Sequence, residues 1–167
     1  MPPGSPTLHM LCGKIAAGKS TLAADLARRD GAILVSEDDW LAALFPEEMR
    51  TIADYVRCAA RLRRAMGPHV AAILNAGGSV VLDFQANTVA ARDWMRDILD
   101  RSAAAHVLHV LDVPDAVCLA RLRARNAGGD HPFEVSEAQF RQITAHFVPP
   151  SAGEGFKVQW HRAGPGG

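Results

Sequence analysis

Short apolar runs alternate along the chain with longer stretches in which apolar residues recur every three or four positions. The runs are Thr7–Cys12 (TLHMLC), Ala32–Ser36 (AILVS), Ser79–Asp83 (SVVLD), Ala105–Asp112 (AHVLHVLD) and Lys157–His161 (KVQWH). They have the length and near-continuous apolarity of strands buried on both faces. Lys19–Arg29 is rich in Ala and Leu, with Leu22 and Leu26 one turn apart, and predicts a helix that Gly31 stops. A long helical stretch covers about Thr51 to Asn75, with an interruption expected at Gly67-Pro68 and a stop at Gly77-Gly78. Val89–Arg101 is amphipathic, with Trp94, Ile98 and Leu99 on one side. Pro114 opens a further helix carrying Val117, Leu119 and Leu122.

The connections have their own signals. Glu37-Asp38-Asp39 follows the second run as an acidic segment, and Pro46-Glu47-Glu48 has the chemistry of a helix start. Asn126–Phe133 is glycine-rich and loop-like, and Ser136 with Gln139 fits a capping box opening a helix to about Phe147. Strands alternating with helices predict an α/β fold whose parallel sheet is covered on both faces. No repeat, linker or composition break divides the chain. A single domain over residues 1–167 is expected, with loose tails at 1–6 and 163–167.

Charge and composition narrow the chemistry. The 18 basic and 18 acidic side chains cancel. That argues against a protein built to grip a duplex backbone, which needs a basic face. Cys12, Cys58 and Cys118 are odd in number and form no CxxC pair, so they read as small core residues in a reducing, cytoplasmic setting. Met1–Pro6 has neither a basic start nor an apolar run, and no stretch has the length of a membrane span. His9, His69, His106, His109, His131, His146 and His161 make no HxxxH or HExxH pair. A metal other than Mg²⁺ is therefore not expected. His106 and His109 read as packed strand residues, and His131 as a loop residue. Arg57, Arg61 and Arg64 form a helical basic stripe of the kind that usually faces solvent.

One segment carries definite chemistry. Gly13-Lys14-Ile15-Ala16-Ala17-Gly18-Lys19-Ser20 matches GxxxxGK[ST] at every fixed position, between a predicted strand and a predicted helix. Glycines let the backbone turn so that successive N–H groups point at phosphate oxygens, and the helix N-terminus adds partial positive charge. Lys19 can bridge the β- and γ-phosphates, Ser20 offers a hydroxyl to Mg²⁺, and Thr21 is placed for the α-phosphate. Lys14 faces either phosphate or solvent. The whole segment from Gly13 to Thr21 is thus expected to hold a nucleoside triphosphate, ATP in the first instance with GTP left open.

The fate of the γ-phosphate depends on groups at the carboxyl ends of the strands, where ligands of open parallel sheets lie. One acid among Glu37, Asp38 and Asp39 is placed to accept a proton from an attacking hydroxyl. Asp83 ends an apolar strand and serves either Mg²⁺ or the substrate, while Asp112 is expected to cap the helix after Pro114. Gln85 and Asn87 follow Asp83 and could hydrogen-bond a polar acceptor. Arg121 and Arg125 share a helix face and could close on the transferring phosphoryl group, with residues 121–135 forming a lid that excludes water. Arg123 points elsewhere.

LCGKIAAGKST, VSEDDW, VVLDF, CLARLRARN and PFEVSEAQF…FVPP…GF together resemble the small P-loop kinases related to zeta toxins, chloramphenicol phosphotransferase and polynucleotide kinase, from about residue 7 to residue 160. The resemblance implies a five-stranded parallel sheet of nucleoside-kinase type. It implies that Asp38 orients or deprotonates the acceptor hydroxyl and that Arg121 and Arg125 are lid arginines, the latter placed to stack on adenine. Polynucleotide kinases carry an arginine three residues after that aspartate, where this chain has Leu41, which argues against an anionic, nucleic-acid-like acceptor. Glu37, Asp38, Asp39 and Trp40 suit a cationic or polyhydroxylated acceptor, an aminoglycoside being the sharpest candidate. Trp40 is then a substrate platform; otherwise it is core. The rivals are a toxin-like kinase of nucleotide sugars and a nucleotide-binding switch or partner-regulated ATPase.

Overall fold

The apolar runs become strands, and their alternate residues feed two separate cores. In the computed structural model, which describes residues 5–129 and 134–162, they form β1 (Thr7–Cys12), β2 (Ile33–Ser36), β3 (Val80–Gln85), β4 (Ala105–Asp112) and β5 (Val158–Arg162). The strands make one parallel sheet in the order β2-β3-β1-β4-β5. Helices α1 (Lys19–Asp30), α2 (Glu37–Leu44), α3 (Ile52–Asn75), α4 (Val89–Asp100), α5 (Asp115–Gly128) and α6 (Glu137–Thr144) connect and cover it. Residues 1–4 and 163–167 of the expected loose tails and 130–133 of the glycine-rich loop, His131 included, fall outside the described residues, whereas Pro6 accepts from the Ala105 N–H at 3.0 Å and residues 126–128, expected in the loop, end α5.

Leu8, Met10 and Cys12 of β1 pack with Leu108 and Val110 of β4 against Cys58, Leu62, Met66, Val70 and Leu74 of α3 and Met95 and Ile98 of α4. Leu11 and Leu111 face the other way, toward Ala23 and Leu26 of α1, Cys118 and Leu122 of α5 and Phe140 of α6. A strand buried on both faces has no polar alternation, which is why the runs are continuous. The three cysteines are buried and unpaired, as expected.

Three sequence expectations are corrected. The acidic segment after β2 is the first turn of α2. Ser36 caps it by accepting from the Asp39 N–H at 3.3 Å, and Glu37, Asp38 and Asp39 meet the positive end of the helix dipole. Pro46-Glu47-Glu48 is a turn, and α3 starts instead behind a reciprocal cap between Thr51 and Asp54. Finally, α3 runs unbroken through Gly67-Pro68. Its buried stripe from Cys58 to Leu74 outweighs a proline cost of about 3 kcal/mol. Gly67 has a packing role: a Cβ there would stand 3.2 Å from Trp94 Nε1, which itself donates to the Arg63 carbonyl at 3.2 Å.

On the α1 side of the sheet, histidines from three neighbouring strands form a row. His9 Nδ1 lies 3.0 Å from His109 Nε2, His109 Nδ1 lies 2.9 Å from His161 Nε2, and His9 Nε2 lies 2.8 Å from Asp30 Oδ2 at the end of α1. Burial, then the neighbouring imidazoles, push His109 down to about 4. No helix among the described residues is long and apolar enough to cross a membrane.

Candidate active site

The strand order reverses at β1, and the loop Gly13–Ser20 leaves the sheet there, at the carboxyl ends of the strands. Gly13 is buried so tightly that a Cβ would come within 3.2 Å of Leu111 Cβ. Gly18 has φ 105°, a left-handed value open to glycine and strained for other residues, and it leads into α1. Ala16, at φ 62°, holds the left-handed region without that freedom. Strain concentrated in one turn is a common property of functional loops.

The loop is tied down on three sides. Asn87, just beyond β3, accepts from the Gly13 N–H at 2.8 Å and donates back to the Gly13 carbonyl at 2.8 Å. Arg121 of α5 donates to the Ala17 carbonyl at 3.2 Å. Lys14 donates to the Val113 carbonyl at 3.2 Å and pairs with Asp115 at 2.6 Å, so its ammonium is held at the β4–α5 corner. The Lys14 side chain thus has partners of the protein's own at that corner. Lys19 donates to the carbonyls of Gly13 and Lys14, the latter at 2.7 Å. Burial pushes its ammonium down to about 8, with Asp83 and Asp38 among the charges pulling the other way.

Carboxylates converge on the loop from two strands' ends. Ser20 donates to Asp83 Oδ2 at 3.0 Å, and burial raises the Asp83 carboxyl above its ordinary range against the pull of Ser20 and Lys19. The charge of Asp38, in the first turn of α2, is felt by Lys19, Asp83 and Arg125 alike. Arg125 Nε is buried and, among the described residues, has no hydrogen-bond partner; burial lowers the guanidinium pKa and Asp38 opposes it.

Several sequence-picked residues have other tasks. Glu37, expected beside an acceptor, is 3% exposed. It accepts from the Tyr55 hydroxyl at 3.2 Å and pairs with Arg63 at 3.3 Å, while burial raises its carboxyl pKa. Asn87 spends its amide on Gly13, which removes it from the acceptor set. Asp112 does not cap α5; it sits 3.6 Å from Arg162. Arg123 pairs with Glu137 at 2.8 Å on the surface. Trp40 is 40% exposed and thus not core, Asp39 is exposed, and Gln85 is half-buried at the end of β3. Leu41 is fully buried, so the position that carries a phosphate-gripping arginine in polynucleotide kinases belongs to the core here.

Two arginines that the sequence reading passed over hold the surroundings together. Arg63 stacks near Trp94 and Phe84, at 5.3 and 5.9 Å from the ring centres, while it pairs with Glu37. Arg92 is completely buried, pairs with Glu154 at 2.7 Å, and donates to the carbonyls of Ala86 and Val148. Only Arg92 left a sequence signal: a cation on the same helix face as Met95 and Leu99.

A strand, a phosphate-type loop and a helix at the switch point of a five-stranded parallel sheet define a P-loop fold of the kinase-like kind. Residues 8–150 match the AAA domain family, and the chain belongs to it. Among solved structures, a Chloroflexus aurantiacus protein superposes with a TM-score of 0.77 at 20% identity, over 95% of this chain and 85% of that one. A Sinorhizobium meliloti gluconokinase gives 0.65 at 14% identity, over 96% and 85%. The Mycobacterium tuberculosis APS kinase, in complex with AMPPNP and APS, gives 0.57 at 17% identity, over 86% and 98%. These likenesses establish the fold. Among curated proteins none matches this chain.

Proposed function

We propose that this chain is an ATP-dependent kinase that transfers the γ-phosphate to a hydroxyl group of a small polar molecule. The observation that carries this reading is that Ser20 of the loop donates to Asp83 at 3.0 Å while Lys19, Asp83 and Arg125, from three separate elements, all feel the charge of Asp38 on a fourth. A site that only held a nucleotide would need the loop alone. An acid at the loop and a guanidinium whose Nε has no hydrogen-bond partner among the described residues suit in-line transfer to an oxygen nucleophile.

The steps are these. Backbone N–H groups of the loop, apart from those of Gly13 and Ala17, which Asn87 and the Lys14 carbonyl hold, bind the phosphates together with the start of α1. Lys19 leaves the carbonyls of Gly13 and Lys14 to meet the β- and γ-phosphates. Asp38 accepts the acceptor hydroxyl proton as the new O–Pγ bond forms. The bond between Pγ and the bridging oxygen breaks, and ADP departs with that electron pair. Arg121 and Arg125 stabilise charge on the transferring oxygens, and the family resemblance adds a contact of Arg125 with the adenine. The Ser20 hydroxyl and the Asp83 carboxylate suit Mg²⁺: they lie 3.0 Å apart, and the Asp83 carboxyl is raised by burial, so a cation would relieve it. Mg²⁺ held there would offset negative charge on the β- and γ-phosphates.

For the acceptor, Asp38, Asp39 and the exposed Trp40 favour a polyhydroxylated molecule, and a cationic one such as an aminoglycoside most of all. The buried Leu41 weighs against an anionic acceptor. The test is ADP release by the purified protein with ATP and Mg²⁺ over aminoglycosides, other sugars and nucleosides, with Asp38→Asn beside it. The kinase reading expects acceptor-dependent ADP release, lost in D38N while ATP binding persists. Undiminished transfer in D38N refutes the assignment of the base. Slow hydrolysis that no acceptor accelerates points to a switch or ATPase, and inactivity on every aminoglycoside removes that acceptor alone.

A further inference from the structure

Asn87 was picked from the sequence for its place after β3, and it is used in a different way. Its side-chain amide makes a closed pair with one residue: Oδ1 accepts from the Gly13 N–H, and Nδ2 donates to the Gly13 carbonyl, both at 2.8 Å. This is the geometry by which one strand recognises another, performed here by a side chain on the first residue of the phosphate loop. Gly13 belongs to no strand and is buried, so without Asn87 its two backbone groups would lack this partner.

The Gly13 carbonyl has a second donor, Lys19 Nζ, which also donates to the Lys14 carbonyl at 2.7 Å. A lysine that is to reach phosphate must give up both carbonyls. Asn87 Nδ2 keeps the Gly13 carbonyl satisfied when Lys19 leaves, which lowers the cost of its release. Asn87 is itself immobilised. Its own carbonyl accepts from the Val148 N–H at 2.8 Å, while the fully buried Arg92 holds the carbonyls of Ala86 and Val148 and pairs with Glu154. The segment 148–154 thus braces, through Arg92, the residue that clamps the loop.

We infer that Asn87 is a positioning residue. It fixes the mouth of the phosphate loop by reciprocal hydrogen bonds to Gly13 and frees Lys19 to serve the β- and γ-phosphates. The inference rests on the reading of residues 13–20 as the phosphate site. It does not depend on what the γ-phosphate is transferred to.

The experiment is calorimetric titration of the full chain with MgATP and, separately, AMP, for the wild type, Asn87→Ala and Asn87→Asp, with thermal unfolding of each. AMP lacks the phosphates that Lys19 serves. Positioning predicts that MgATP affinity falls about tenfold or more in N87A, roughly the value of one lost hydrogen bond network, while AMP affinity moves less than about twofold. N87D keeps the acceptor for the Gly13 N–H and loses the donor, so it should fold even where N87A does not, and should weaken MgATP binding at least as much. Equal weakening of ATP and AMP means a merely structural role and overturns the inference, as does MgATP binding within about twofold of wild type in N87D. A wild-type chain that binds no MgATP sinks the phosphate-site reading itself, a result visible before any variant is compared.

Discussion

The two halves of the site are built on opposite plans. On the donor side, Gly13, Lys14, Ala17, Lys19 and Ser20 are each held by a named partner from another part of the chain or loop. On the proposed acceptor side, Asp39 and Trp40 stand exposed on a short helix, and Glu37 has been drawn into the core by Tyr55 and Arg63. Phosphate is the same in every nucleotide, so its site can be rigid and recognisable. An acceptor site varies with what it binds, and its side chains are left open to solvent.

Substitutions can break this contrast, starting with the largest effect. Lys19→Met removes the cation proposed to meet the β- and γ-phosphates, and acceptor-dependent ADP release should fall by about a thousandfold or more. Arg125→Ala should lower kcat by about a hundredfold with a much smaller change in ATP affinity, because its guanidinium is proposed to act on the transferring group; a loss confined to ATP affinity would assign it to the adenine instead. On the acceptor side, Glu37→Ala should cost about 2–3 kcal/mol in urea unfolding by stranding Arg63, a partly buried cation. Asp39→Asn should leave stability within about 0.5 kcal/mol and raise only the acceptor KM. If Glu37→Ala proved silent in unfolding and severe in acceptor KM, the division of tasks drawn here would be reversed.

Acid gives a graded effect on the histidine row. The folded His109 releases its proton at about 4, against an ordinary value of 6.5, because burial disfavours the charged ring. The unfolded chain therefore binds more protons in that window. The contribution to stability is whole above about pH 6.5 and declines as the pH falls to about 4. Urea midpoints measured across that range should drop with acid, and His109→Gln should flatten the slope. A small effect is also expected at Ala16, where glycine would relieve the left-handed φ of 62°. Ala16→Gly should change stability by less than about 1 kcal/mol, strain relief opposing the added freedom of the unfolded chain.

What the sequence disclosed follows from range. Strands declared themselves because burial on both faces leaves a local apolar run, and the phosphate loop because its residues are adjacent. The start of α2 was hidden because its cap, Ser36, also ends β2, and three acids in a row show no apolar period. The tasks of Glu37 and Asn87 were illegible for another reason. Their partners are distant along the chain, 18 residues from Glu37 to Tyr55 and 74 from Asn87 to Gly13. A polar residue near a strand end looks the same whether it will meet a ligand or the protein's own backbone.

The row His9–His109–His161 imposes one more condition. Each gap between rings has room for one hydrogen, and each neutral ring carries one. His9 Nε2 lies 2.8 Å from Asp30 Oδ2 without an aligned hydrogen bond, and a hydrogen on that nitrogen is the one the carboxylate favours. With it there, His9 Nδ1 receives from His109 Nε2, and His109 Nδ1 from His161 Nε2. One carboxylate at the end of α1 thus biases the tautomers of three imidazoles across three strands. The three side chains behave as one directional chain with a vacant lone pair only on the outer ring.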